Sequence, residues 1–111
     1  MRRIIFIVFI FLFSFCVAVE NPILKSYKTY NKSAESVFLD SFNAITSNKY
    51  EIVEFQSRGG YILFRVNKKE YLLTVIKDNT NSLVKIVPED MDYASSLGVF
   101  DSIFKALDGV L

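Results

Sequence analysis

The sequence predicts a two-layer α+β domain in the order α-β-β-β-β-α, a four-stranded antiparallel meander with an N-terminal and a C-terminal helix packed on one face. Three observations lead to it. Apolar residues recur at helical spacing after Ser33 and again after Ser95, and between them, from Tyr50 to Val87, the period drops to two. Gly- and Asn-rich breaks cut that middle stretch into four pieces. With 111 residues, 51% of them hydrophobic, the chain has room for one core.

Residues 1–18 read as a signal peptide. Arg2 and Arg3 precede an apolar run beginning at Ile4, and Cys16-Val17-Ala18 places small side chains three and one positions before a cleavage site at Val19. The expected location is secreted or periplasmic. In the alternative, residues 4–19 remain as an anchor with the rest of the chain facing outward, but at about 1.5 Å per residue such a helix is some 24 Å long, short of the roughly 30 Å hydrocarbon core. Membrane contact is expected only through that uncleaved segment. Removal after Ala18 takes away the single Cys, so no disulfide holds the mature chain.

Residues 19–32 are expected to be a linker or a short helix, with Asn21 as N-cap, Pro22 at the first helical position and Ile23, Tyr27 and Tyr30 at helical spacing. The folded domain is placed at 33–111. Ser33 caps a helix whose stripe is Ala34, Phe38, Phe42 and Ile45. Strands are expected at 50–57, 61–66, 70–77 and 82–87, joined by Arg58-Gly59-Gly60, Asn67-Lys68-Lys69 and Asp78–Asn81. A final helix starts near Ser95 or Ser96, presents Phe100, Ile103, Phe104 and Leu107, and stops at Gly109.

Tight turns fix register, and register fixes which side chains share a face. A turn at Asn67-Lys68 sets Val66 opposite Lys69, Phe64 opposite Tyr71 and Ile62 opposite Leu73. The inner face then holds Val53, Phe55, Ile62, Phe64, Val66, Tyr71, Leu73, Val75, Val84 and Ile86. The outer face carries Ile52, Glu54, Gln56, Tyr61, Leu63, Arg65, Glu70, Leu72, Thr74, Ile76, Leu83, Lys85 and Val87. A wet sheet face normally alternates cleanly to polar, so the apolar half of this set is the anomaly that points to binding. Tyr61, Leu63, Arg65, Leu72, Ile76 and Leu83 are the expected partner-binding residues, for a protein or peptide partner or a homodimer.

Composition narrows the chemistry. The absence of His removes imidazole bases and ligands, and loss of Cys16 removes thiolate chemistry. Without Arg2 and Arg3 the chain keeps 11 of its 13 basic residues against 12 acidic ones, too near neutral to attract nucleic acid. Glu54 and Glu70 fall about 12 Å apart by strand dimensions, wider than the roughly 5–9.5 Å of a glycosidase pair. Glu89, Asp90 and Asp92 lack the spacing of a calcium loop and are read as helix capping or a solvated loop. No catalytic, cofactor or metal site is expected. The expected function is that of a small exported non-enzymatic interaction module. The alternatives are an enzyme inhibitor or structural envelope component acting through loop tips, and a hydrolase using carboxylates alone.

Overall fold

Asn21 accepts a hydrogen bond from the Ile23 amide and starts a 3-10 turn, Pro22–Lys25, from which the chain straightens into strand β1, Tyr27–Tyr30. The computed structural model describes residues 21–110, and the expected signal segment lies outside them. Helix α1 follows at Ala34–Ser47, then strands β2 (Glu51–Gln56), β3 (Tyr61–Val66), β4 (Lys69–Asp78) and β5 (Asn81–Pro88). A 3-10 turn at Ala94–Ser96 leads into helix α2, Leu97–Val110.

The sheet has five antiparallel strands in the order β1-β5-β4-β3-β2. The α+β class stands, and the strand count is corrected from four to five. The stretch expected as linker or helix supplies the extra strand. Tyr27 lies opposite Lys85, Lys28 opposite Val84, and the Ile86 amide donates to the Ser26 carbonyl at 2.8 Å. Helical spacing at 23, 27 and 30 fits a helix and misleads, because Tyr-Lys-Thr-Tyr also alternates and the free edge of β5 offers backbone partners that an isolated short helix lacks. Tyr30 is buried beneath α2, and its hydroxyl donates to Asp108 at 3.1 Å. Burial and then the Asp108 carboxylate push that phenol above its ordinary pKa.

Helix α1 is capped at both ends. The Ser36 amide donates to the Ser33 hydroxyl, and at the C-terminus the Tyr50 amide donates to Ile45 and the Lys49 amide to Thr46, with Lys49 at φ 62°. This is the paired bonding of a Schellman motif with lysine in the left-handed position usually taken by glycine. The buried line of α1 runs through Val37, Ser41, Ala44 and Ile45, while Ala34, Phe38 and Phe42 flank it, a rotation of the expected stripe. Buried Ser41 donates to the Val37 carbonyl one turn back, so it enters the apolar line without a stranded hydroxyl. In α2 the expected residues Phe100, Ile103, Phe104 and Leu107 are all buried. Gly109 does not end this helix, which continues through Val110.

Register follows the turns. Asn67 (φ 51°) and Lys68 (φ 70°) make the two-residue turn between β3 and β4, and Phe64 opposite Tyr71, Leu73 opposite Ile86 and Val75 opposite Val84 stand as the sequence predicts. Arg58-Gly59 form the centre of the β2–β3 turn, with Gln56 opposite Tyr61 and Phe55 opposite Ile62. A bulge at Val53 then breaks strict alternation, so Ile52 faces Phe64 and joins the core side, while Val53 is 41% exposed. Their expected places are exchanged. Bulges of this kind are common on edge strands, where they spoil the template for strand addition. Phe55 does point to the helix side, meeting Phe42 edge-on at 5.0 Å, but remains 53% exposed because nothing packs beyond an edge strand.

Candidate functional site

Both helices cover the face formed by Ile62, Phe64, Tyr71, Leu73, Val84 and Ile86. Among the described residues, no helix lies over the other face. Its side chains form rows across the strands. Glu51, Arg65 and Glu70 make one row. Next come Glu54, Leu63, Leu72 and Val87, and then Gln56, Tyr61, Thr74, Lys85 and Tyr27. Ile76, Leu83 and Thr29 make the last.

All six expected binding residues stand on this face, and the register brings them together. Leu63 contacts the Leu72 position directly across β3 and β4, as Ile76 does Leu83 across β4 and β5. Leu72 is 37% and Ile76 47% exposed. Strand β1 widens the face by Tyr27, itself 42% exposed, and Val87 joins Leu72 in the apolar row. Tyr27 escaped the sequence reading because its place depends on pairing with a strand more than fifty positions away. Its aromatic alternation with Lys28 and Thr29 was the available signal.

Several polar residues on the face are engaged with one another. Arg65 donates to Glu70 at 2.9 Å and to Glu51 at 3.2 Å. The sequence places only Glu70 across from Arg65; the Val53 bulge adds Glu51. These bonds hold the guanidinium above its already high pKa, Glu70 first and then Glu51. At an exposed site such pairs orient side chains more than they stabilise the fold. The Tyr61 hydroxyl donates to Glu54 at 3.0 Å, which raises the phenol pKa. Glu54 and Glu70 are therefore held by different partners, Tyr61 and Arg65, on neighbouring rows.

No protein-family model matches this chain, and no curated protein matches it in sequence.

Two other regions gather polar groups or enclose space. The acidic group after β5 is organised by Lys69, whose ammonium reaches Asp90 at 3.0 Å and the hydroxyls of Ser95 and Ser96 at 3.1 and 3.0 Å. Asp92 accepts from the Ser95 amide at 3.2 Å and so caps the turn into α2. Among the described residues, no group of three or more His, Cys, Asp or Glu converges as a metal site. The Asp92 amide and then Lys69 hold the Asp90 carboxyl below the usual carboxylate range. Burial lowers the Lys69 pKa, but Asp90, Tyr71 and Asp92 together outweigh it and the net shift is upward. A depressed carboxyl stabilises the fold above its unfolded pKa and ceases to do so as pH falls through the folded value. The stability difference between wild type and Asp90→Asn, read from urea midpoints, is thus expected to be present at about pH 6 and to shrink as pH falls below the ordinary carboxylate range. A difference that persists unchanged in acid would assign it to packing.

The second region is an open groove of about 560 Å³ between the Pro22–Lys25 turn and α2, with Leu24, Tyr27, Leu97 and Phe104 among its walls. A Lys28–Asp108 ion pair at 2.7 Å crosses its rim and joins the two ends of the domain. Sequence reasoning missed it because its walls come from opposite ends of the chain.

Proposed function

We propose that this protein is a small exported, non-enzymatic interaction module that presents the outer face of its sheet to a protein or peptide surface. The observation that carries this reading is the apolar row Leu63, Leu72 and Val87 and the apolar pair Ile76 and Leu83, set on either side of the Tyr61–Thr74–Lys85 row and half-buried to exposed where antiparallel sheets normally turn polar. Arg65 and Tyr61 stand beside these apolar residues and are held in place by their carboxylate partners, which limits the side-chain entropy lost on docking. Export is supported by the n-region, apolar run and small-residue site in residues 1–18.

The test is a photo-cross-linking residue at Thr74, in the centre of the face, introduced in cells that make the protein. A discrete adduct is expected, and the pair of substitutions Leu63→Lys and Leu72→Lys should abolish it while far-ultraviolet circular dichroism is retained. Arg58→Ala and Thr80→Ala, at two hairpin tips, should leave the adduct intact. Loss of the folded signal in the double lysine variant would make those leucines structural. Loss of the adduct in the tip variants alone would favour docking through loops.

A further inference from the structure

We propose that the surface docked on the outer face is a second copy of this chain, the two sheets packing face to face about a two-fold axis that runs along β4. The inference rests on the outer face being the interaction surface and names what covers it. Its basis is self-complementarity. Rotation about β4 exchanges the β3 and β5 sides of the face, so Leu72, Thr74 and Ile76 meet their own counterparts along the axis, and Leu63 of each copy meets Val87 of the other.

On the flanks the charges obey the same operation, while at the end of β4 Glu70 meets its own counterpart with Arg65 bonded beside it. Glu54 and Tyr61 stand on the β2–β3 flank of the face, joined by their hydrogen bond, and Lys85 stands on the β5 flank. Lys85 is exposed and makes no salt bridge among the described residues. The two-fold brings Lys85 of each copy over Tyr61 of the other, beside Glu54, so an anionic aromatic corner receives a cation twice per dimer. Arg65 lies between Glu51 and Glu70 in the outermost row and offsets the acidic charge at the rim.

Size is compatible. With strands about 4.8 Å apart and rows about 6.6 Å apart along them, the face measures roughly 20 by 20 Å, about 400 Å² on each copy and about 800 Å² for the pair, the size of a weak interface. A weak dimer in the micromolar range is therefore expected, with sheets near 10 Å apart and strands within about 30° of alignment.

Sedimentation equilibrium on the protein purified from its producing cells, with whatever N-terminus it then carries, tests this. The expected result is a concentration-dependent monomer–dimer equilibrium. Glu54→Lys and Lys85→Glu should each weaken it about tenfold or more, and the two together should restore it, because the swapped charges again meet across the two-fold. Thr74→Arg, which sets like charges against each other on the axis, should abolish it, with circular dichroism checking that each variant is folded. A protein that stays monomeric up to about 1 mM overturns the dimer, whose expected dissociation constant is micromolar. So does a dimer indifferent to all three substitutions. In either case a Thr74 adduct of mass other than twice the chain would leave the outer face as a docking surface for a different protein; absence of any adduct would remove both readings.

Discussion

Replacing Phe64 by alanine is expected to cost about 3–5 kcal/mol and to leave a large unfolded population at room temperature. Phe64 is fully buried, with its ring stacked between Tyr71 at 5.3 Å and Tyr50 at 6.0 Å. Truncation removes the transfer free energy of the ring and leaves a cavity whose walls are sheet on one side and helix on the other, neither of which can close it without moving many neighbours. Domains of this length have a total stability near the low end of roughly 5–15 kcal/mol, so a loss of that size takes most of it. Phe55→Ala is the matched control. The same side chain on the same face, but over half exposed and touching chiefly Phe42, should cost about 1 kcal/mol. Urea denaturation of the two variants measures the contrast. Equal losses would mean that the edge strand is packed as tightly as the centre, against the exposures found here.

Gly60→Ala is expected to destabilise by roughly 2–4 kcal/mol, although the residue lies in a turn. Its φ of 68° is left-handed, which costs an L-residue about 1–2 kcal/mol. A Cβ there would also sit 2.7 Å from the Val75 carbonyl oxygen, and Val75 in turn donates its amide to the Gly60 carbonyl at 2.7 Å. The obstacle is backbone of β4, so relief requires shifting a central strand. The neighbouring Gly59→Ala should be mild by comparison, at about 1 kcal/mol or less. Its Cβ would meet the Gln56 Oε1 at 2.8 Å, and that atom is the end of an exposed side chain that can swing away. Thermal unfolding of both variants checks this, with the Gly60 substitution expected to lower the midpoint by roughly 10–20 °C and the Gly59 substitution by only a few degrees.

The outer face was legible wherever a turn announced itself. Asn67-Lys68 spans two residues as read, and the connection expected as the four residues Asp78–Asn81 tightens to Asn79-Thr80, with Asn79 at φ 57° and Asp78 paired to Asn81, which leaves the register of Lys77 opposite Ser82 unchanged. The Val53 bulge was not legible. Alternation in Glu51–Gln56 gives no sign that one residue drops out of step, because the insertion is driven by the fit of Ile52 over Phe64 and by the lack of a neighbour beyond β2. The rotation of α1 was hidden for a similar reason. Ser41 carries a hydroxyl and reads as polar, yet its bond to the Val37 carbonyl frees it to face the core.

Local chemistry in the chain was sufficient to set the α+β class, the registers of β3 with β4 and of β4 with β5, the capped start of α1, the buried stripe of α2 and the parity that leaves Leu63 and Leu72 pointing away from the helices. These depend on interactions between residues close in sequence, or on a strict alternation that short turns propagate. The fifth strand, the bulge and the groove between the two chain ends were decided by tertiary structure alone. Each arises where one segment meets another tens of residues away, and the unpaired amides and carbonyls along β5, rather than any pattern in residues 27–30, made that segment a strand.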